Sequence, residues 1–83
     1  MEENDLRVTV YTNENCVQCR MTLRMFGEFN FQPKTTPRTE SNRMALVDAG
    51  YARYPVVMVF DDNNKMVDSW TGFKPEKIKS LFK

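Results

Sequence analysis

Near the start of the chain, Leu6, Val8 and Val10 alternate with Arg7, Thr9 and Tyr11. A period of two predicts a strand. Thr12-Asn13-Glu14-Asn15 interrupts it with loop- and cap-forming residues, and from Cys16 the spacing changes. Val17, Met21, Met25 and Phe29 recur every four residues, a helical stripe. Gly27, close to its end, stops this helix or weakens its last turn by about 1 kcal/mol. Phe31 to Thr36 predicts a second strand, and Pro33, with no N–H to give, assigns it to a sheet edge. A second helix opens near Pro37 to Thr39, carries Met44, Val47 and Tyr51 on one face and stops at Gly50. Tyr54-Pro55-Val56-Val57-Met58-Val59-Phe60 is a continuous apolar run of strand length, the pattern of a strand covered on both faces. Asp61-Asp62-Asn63-Asn64 is a turn cluster, so Lys65 to Trp70 returns as the second arm of a hairpin. After a loop from Thr71 to Lys74, Pro75 fits the first turn of a last helix with Ile78, Leu81 and Phe82 on one face. The order is β-α-β-α-β-β-α, the pattern of a single α/β domain over residues 1–83, with no repeat, linker or low-complexity segment.

Composition narrows the partners more than the fold. A chain of 83 residues buries only about 60–65% of its unfolded surface, so its stability margin is modest. Apolar residues make up 41% and charged residues 28%, the mixture of an ordinary globular domain. A net charge of +1 argues against nucleic acid or a membrane surface as partner, which call for a basic stripe. No apolar stretch approaches the roughly 18 residues of a membrane helix. The N-terminus MEENDLRVTV lacks the basic-then-apolar pattern of a signal peptide. The expected compartment is the cytoplasm, where structural disulfides are rare.

The candidate chemistry lies in Cys16-Val17-Gln18-Cys19, which holds both cysteines of the chain. Residues three apart on a helix face the same way, close enough for a disulfide after small adjustment. The first cysteine meets unpaired backbone N–H groups and the positive end of the helix dipole. In such settings a thiol falls from about 8.5 to about 3.5–7.5 in pKa. That produces a nucleophile without a histidine, and the chain has none. Arg20 adds positive potential if it turns toward the sulfur, and Glu14 works the other way. In this reading Cys16, the more exposed sulfur, attacks a target disulfide, and Cys19 resolves the mixed disulfide. Three other readings stay open. A structural staple across so short a loop stabilises little. A zinc site needs about four ligands, and one chain offers two thiolates. A cluster bridging two chains is the third. A Cys-x-x-Cys after a strand in a β-α-β pattern favours the working dithiol.

Tyr11-Thr12, Cys16-Val17-Gln18-Cys19, Arg20-Met21-Thr22, Tyr54-Pro55-Val56-Val57 and Trp70-Thr71-Gly72-Phe73-Lys74-Pro75 together resemble an NrdH-type redoxin, a glutaredoxin-like member of the thioredoxin superfamily. The CVQC and W-x-G-F-x-P segments are its specific parts, and the likeness is weakest from Gln32 to Met44. The resemblance implies a thioredoxin fold, a four-stranded mixed sheet flanked by helices. It implies a monomeric thiol–disulfide oxidoreductase with no cofactor beyond the redox-active Cys16–Cys19 pair and no metal. The implied partners are the large subunit of class Ib ribonucleotide reductase, as electron acceptor, and thioredoxin reductase, as the NADPH-dependent donor. Pro55 matches the cis-proline beside the dithiol, and the Tyr54 backbone is the segment that pairs with a substrate chain. Trp70, Gly72 and Phe73 are implied to form the surface beside the dithiol. On pattern alone Pro55 merely begins a strand, and Trp70 and Phe73 belong to the core.

Departures from the wider superfamily sharpen the expectation. Asn15 and Val10 stand where thioredoxins carry a Trp before the first Cys and a buried Asp. Val17-Gln18 and Thr71-Gly72-Phe73-Lys74 stand where glutaredoxins carry Pro-Tyr and the glycine–acidic segment that holds glutathione. The prolines Pro33 and Pro37 make the neighbouring edge unlike that of relatives. The rival functions are a glutathione-dependent glutaredoxin, an iron–sulfur cluster-binding dimer, and a redox-sensing adaptor without turnover.

Overall fold

The computed structural model describes residues 6–82. Strand β1 (Arg7–Thr12), helix α1 (Val17–Glu28), strand β2 (Lys34–Pro37) and helix α2 (Glu40–Asp48) form the first half of the chain. The hairpin of β3 (Val56–Phe60) and β4 (Met66–Thr71), followed by helix α3 (Pro75–Ser80), forms the second. The sheet order is β2-β1-β3-β4, with β1 parallel to β2 and antiparallel to β3, and β3 antiparallel to β4. This is the thioredoxin fold, a mixed four-stranded sheet flanked by helices.

The core follows strand alternation. Val8 and Val10 of β1, Val57 and Val59 of β3 and Trp70 of β4 point to one face, where Phe26 of α1 and Ile78 of α3 close over them. Val56 is also fully buried but lies outside that cluster, on the opposite face by alternation. The expectation of a central strand covered on both sides therefore holds for β3. Asp61 caps the hairpin turn, its carboxylate accepting the Asn63 and Lys65 N–H groups at 2.9 and 3.0 Å. Pro33 and Phe31 stay outside β2, which begins at Lys34 instead of Phe31 and pairs only with β1. Phe31 turns into the core, its ring 5.7 Å from Phe26 and 5.4 Å from Phe82. Thr39 is the N-cap of α2 in a reciprocal capping box with Asn42. Gly50, at φ +98°, ends α2, with Gly50 N–H on Val47 C=O and Tyr51 N–H on Leu46 C=O, a Schellman ending.

Two helix faces differ from the stripes in the sequence. In α1 the buried residues are Cys19, Thr22 and Phe26. Val17 is 57% exposed, Met21 43% and Phe29 36%. A four-residue step advances 400° around a helix, so each step drifts about 40° from the last. The apolar stripe therefore spirals across the surface, and only its far end reaches the core, through Met25 and the Phe29 ring stacked 4.7 Å from Phe82. Spacings of three and then four keep Cys19, Thr22 and Phe26 in register with the sheet. In α2, Met44 and Val47 are exposed and Leu46 is the buried residue. Gly27 does not stop α1: it sits inside the last turn, and Asn30 beyond takes the left-handed conformation at φ 58°.

Candidate active site

The loop Asn13–Asn15 carries the chain from the end of β1 to the start of α1, with Asn15 at φ 55°. Asparagine tolerates that left-handed conformation better than most side chains. Cys16 then adopts an extended backbone and becomes the N-cap of α1. Its Sγ accepts a hydrogen bond from the Cys19 N–H at 3.1 Å, taking the place of the oxygen of an ordinary cap. No acidic residue occupies the first turn of α1 to oppose negative charge there. Cys16 and Cys19 are joined as a disulfide with their Cα atoms 5.2 Å apart. The two sulfurs differ in access: Cys16 is partly exposed and Cys19 is 2% exposed.

Because β1 and β3 are antiparallel neighbours with Tyr11 opposite Val56, the residues before β3 arrive beside the start of α1. The Tyr54–Pro55 peptide bond is cis and Pro55 is buried. The Tyr54 carbonyl oxygen lies 3.9 Å from Cys16 Sγ. A disulfide sulfur has no hydrogen to give, so the contact becomes a hydrogen bond only in the thiol. The loop after β4 forms the next wall. Gly72 N–H donates to Pro55 C=O at 2.9 Å, and Gly72 has φ +83°, a conformation that favours glycine. Cys16, Tyr54, Gly72 and Phe73 all line one open depression of about 660 Å³, with Arg53 and Lys74 supplying positive charge and Glu14 negative charge.

Two expected site residues lie elsewhere. Trp70 is 5% exposed and belongs to the core. It pairs in register with Val57, and the pleat sends both side chains to the same buried face. Its ring meets Lys77 Nζ at 5.5 Å, and Lys77 is itself held by both Asp68 carboxylate oxygens. Arg20 is exposed and does not line the depression; of its groups the backbone N–H serves α1, on Cys16 C=O at 3.3 Å. Gln18 of the CVQC motif also lines the depression, in a role the motif does not indicate. Gln18 Oε1 accepts the Phe73 N–H at 3.0 Å across 55 residues of chain. Its place between the two cysteines was the available cue, but nothing local indicates the partner. Among the described residues, no three His, Cys, Asp or Glu side chains converge as a metal site would require. Among those residues, no helix is long and apolar enough to cross a membrane.

Comparison with known proteins agrees with this geometry. No family model matches the chain. The glutaredoxin-like protein NrdH of Escherichia coli K12 is 35% identical over 78 residues, covering 92% of this chain and 89% of the relative. The Salmonella typhimurium protein of the same name is 33% identical over the same span. Among solved structures, the E. coli NrdH-redoxin, a glutaredoxin-like protein with a thioredoxin-like activity profile, superposes with a TM-score of 0.78 at 32% identity. That match covers 93% of this chain and 96% of the other. Thioredoxin f from spinach chloroplast, at 15% identity and a TM-score of 0.69, covers 95% of this chain and 78% of its own, and shares the fold.

Proposed function

The chain belongs to the NrdH family of glutaredoxin-like redoxins, and from that membership we propose that it is a dithiol electron donor to class Ib ribonucleotide reductase, recharged by thioredoxin reductase from NADPH. It is a thiol–disulfide oxidoreductase of the thioredoxin superfamily. The observation that carries the dithiol chemistry is the unequal access of the two sulfurs at one helix N-terminus, beside Tyr54 and cis-Pro55, while the choice of donor and acceptor rests on the family.

In the reduced protein, the Cys19 N–H and the first turn of α1 favour negative charge on Cys16 Sγ. The Cys16 thiolate attacks one sulfur of the target disulfide. A Cys16–target disulfide forms, and the other target sulfur leaves as a thiolate that takes up a proton. Cys19 loses its proton and attacks Cys16 Sγ, closing the Cys16–Cys19 disulfide and releasing the second target thiolate. Two electrons pass to the target, and its two thiolates take up the proton released by Cys19 and one from solvent. Cys19 is shielded from solvent, so its reach is confined to the sulfur one turn away. Tyr54 has no backbone hydrogen-bond partner among the described residues. Its N–H is thus available to pair with the target chain, and its C=O becomes so once Cys16 is a thiolate. The Thr71–Lys74 loop carries Lys74 where an acidic glutathione-holding segment would be needed, which favours thioredoxin reductase as the source of electrons.

The test is NADPH consumption with a protein disulfide, run in parallel with thioredoxin reductase and with glutathione plus glutathione reductase. Fast turnover only with thioredoxin reductase is expected. Fast turnover only with glutathione would make the protein a glutaredoxin and refute the assignment of the reductant. The acceptor is tested by deoxynucleotide formation with a class Ib reductase.

A further inference from the structure

The walls of the depression are tied together by contacts that run in a circuit, and Gln18 closes it. From Cys16 the path crosses to the Tyr54 carbonyl, 3.9 Å from Sγ. It continues through the cis peptide to Pro55, whose carbonyl accepts the Gly72 N–H at 2.9 Å. From Gly72 it passes to Phe73, whose N–H donates to Gln18 Oε1 at 3.0 Å. Gln18 stands between the two cysteines, so the path returns to the dithiol. Its own backbone is held from below: the hydroxyl of fully buried Thr22 donates to Gln18 C=O at 2.8 Å. The approach is close on the loop side too, since a Cβ at Gly72 would stand 3.3 Å from Gln18 Oε1.

We infer that Gln18 is a positioning residue that holds the Gly72–Phe73 wall against the dithiol turn, and so sets how well the protein receives a polypeptide disulfide. This rests on the dithiol reading above. The argument is geometric. Without the Gln18 acceptor, the Thr71–Lys74 loop keeps its link to Pro55 and loses its link to α1. A small disulfide needs only the Cys16 sulfur and is indifferent to the wall. A polypeptide disulfide must lie along the Tyr54 backbone with Gly72 and Phe73 beside it, so its attack geometry depends on the wall, and displaced walls are costly to rate.

The readout is a ratio: the second-order rate of the reduced protein with insulin divided by that with bis(2-hydroxyethyl) disulfide, a small neutral substrate. Both rates depend equally on the state of the Cys16 sulfur, so the ratio isolates the wall. Gln18→Met keeps the side-chain length and removes the acceptor. The ratio is expected to fall about fivefold to tenfold, the scale of one lost neutral hydrogen bond. Amide exchange at Phe73, followed by NMR, is expected to accelerate. Gln18→Glu keeps an oxygen acceptor, and its ratio is expected to stay near wild type whatever the added charge does to each rate alone. Gly72→Ala approaches the same link from the loop side, serves if Gln18→Met folds poorly, and is expected to lower the ratio too. An unchanged ratio in Gln18→Met, with or without faster Phe73 exchange, overturns the inference, as does a fall in Gln18→Glu equal to that in Gln18→Met. Wild-type protein that reduces neither substrate would overturn the dithiol reading instead.

Discussion

Phe26→Ala tests which face of α1 holds the molecule together, with Met21→Ala as its counterpart. Phe26 is fully buried, its ring 5.7 Å from Phe31 and 6.1 Å from Phe82. Truncating such a residue removes the transfer free energy of a whole ring and leaves a cavity, about 3–5 kcal/mol together. Met21 is 43% exposed on the apolar stripe of the same helix, and its truncation falls in the surface range of about 0.5 kcal/mol. For a domain of this size each kcal/mol moves Tm by roughly 4–8 °C. Phe26→Ala is therefore expected to lower Tm by at least about 12 °C, and Met21→Ala by no more than about 4 °C. Small domains have total stabilities near the low end of about 5–15 kcal/mol, so Phe26→Ala leaves little margin at room temperature. The assay is thermal unfolding followed by fluorescence of Trp70, the one tryptophan of the chain, which sits in the same core as Phe26. A Met21→Ala loss equal to that of Phe26→Ala, or a Phe26→Ala loss below about 4 °C, would refute the assignment of the buried face.

Two further outcomes are expected. Cys16→Ser abolishes disulfide reduction, while Cys19→Ser accumulates a mixed disulfide with the target, seen by intact mass under non-reducing conditions; full turnover by Cys19→Ser would remove Cys19 from the resolving role. Glu40 titrates below the ordinary glutamate value of 4.5, first because Arg43 hydrogen-bonds its carboxylate and then because of the guanidinium charge. A depressed carboxylate contributes stability above its unfolded pKa, and the contribution is lost as pH falls through the lower folded value. Arg43→Gln should move the Glu40 midpoint up in an NMR titration, and an unmoved midpoint would reject the pairing as its cause.

The parts of the fold legible in the sequence are those whose signal is local. The alternation of Val8 and Val10, the apolar run to Phe60, the Asp61 turn, the helix opening near Pro37 to Thr39 and the Gly50 stop each depend on a few neighbouring residues, and each stands in the structure, with β3 beginning at Val56 instead of Tyr54. Helix faces were harder to read because the buried side of α1 includes a cysteine and a threonine while its exposed side carries Val17 and Met21. Hydrophobicity alone therefore pointed the wrong way. Trp70 shows pattern outdoing resemblance: its place near the hairpin end marks it as core, where it stands opposite Val57, while the family likeness draws it to the surface beside the dithiol. Cys16 and Cys19 announced themselves by spacing. The bond from Gln18 to Phe73 joins residues 55 apart and depends on the packing of the completed molecule.

The sheet order β2-β1-β3-β4 has a consequence for the birth of the protein. The dithiol belongs to the first βαβ half of the chain, and its walls belong to the ββα half. Tyr54 follows Cys16 by 38 residues, and Phe73 follows Gln18 by 55. At about 5–20 residues per second of synthesis, those distances correspond to roughly 2–8 s and 3–11 s. During that interval the nascent chain exposes two thiols with neither Tyr54 nor Phe73 beside them. In the proposed reading selective exchange needs β3 paired with β1, so in order of synthesis the dithiol precedes the walls that select its targets.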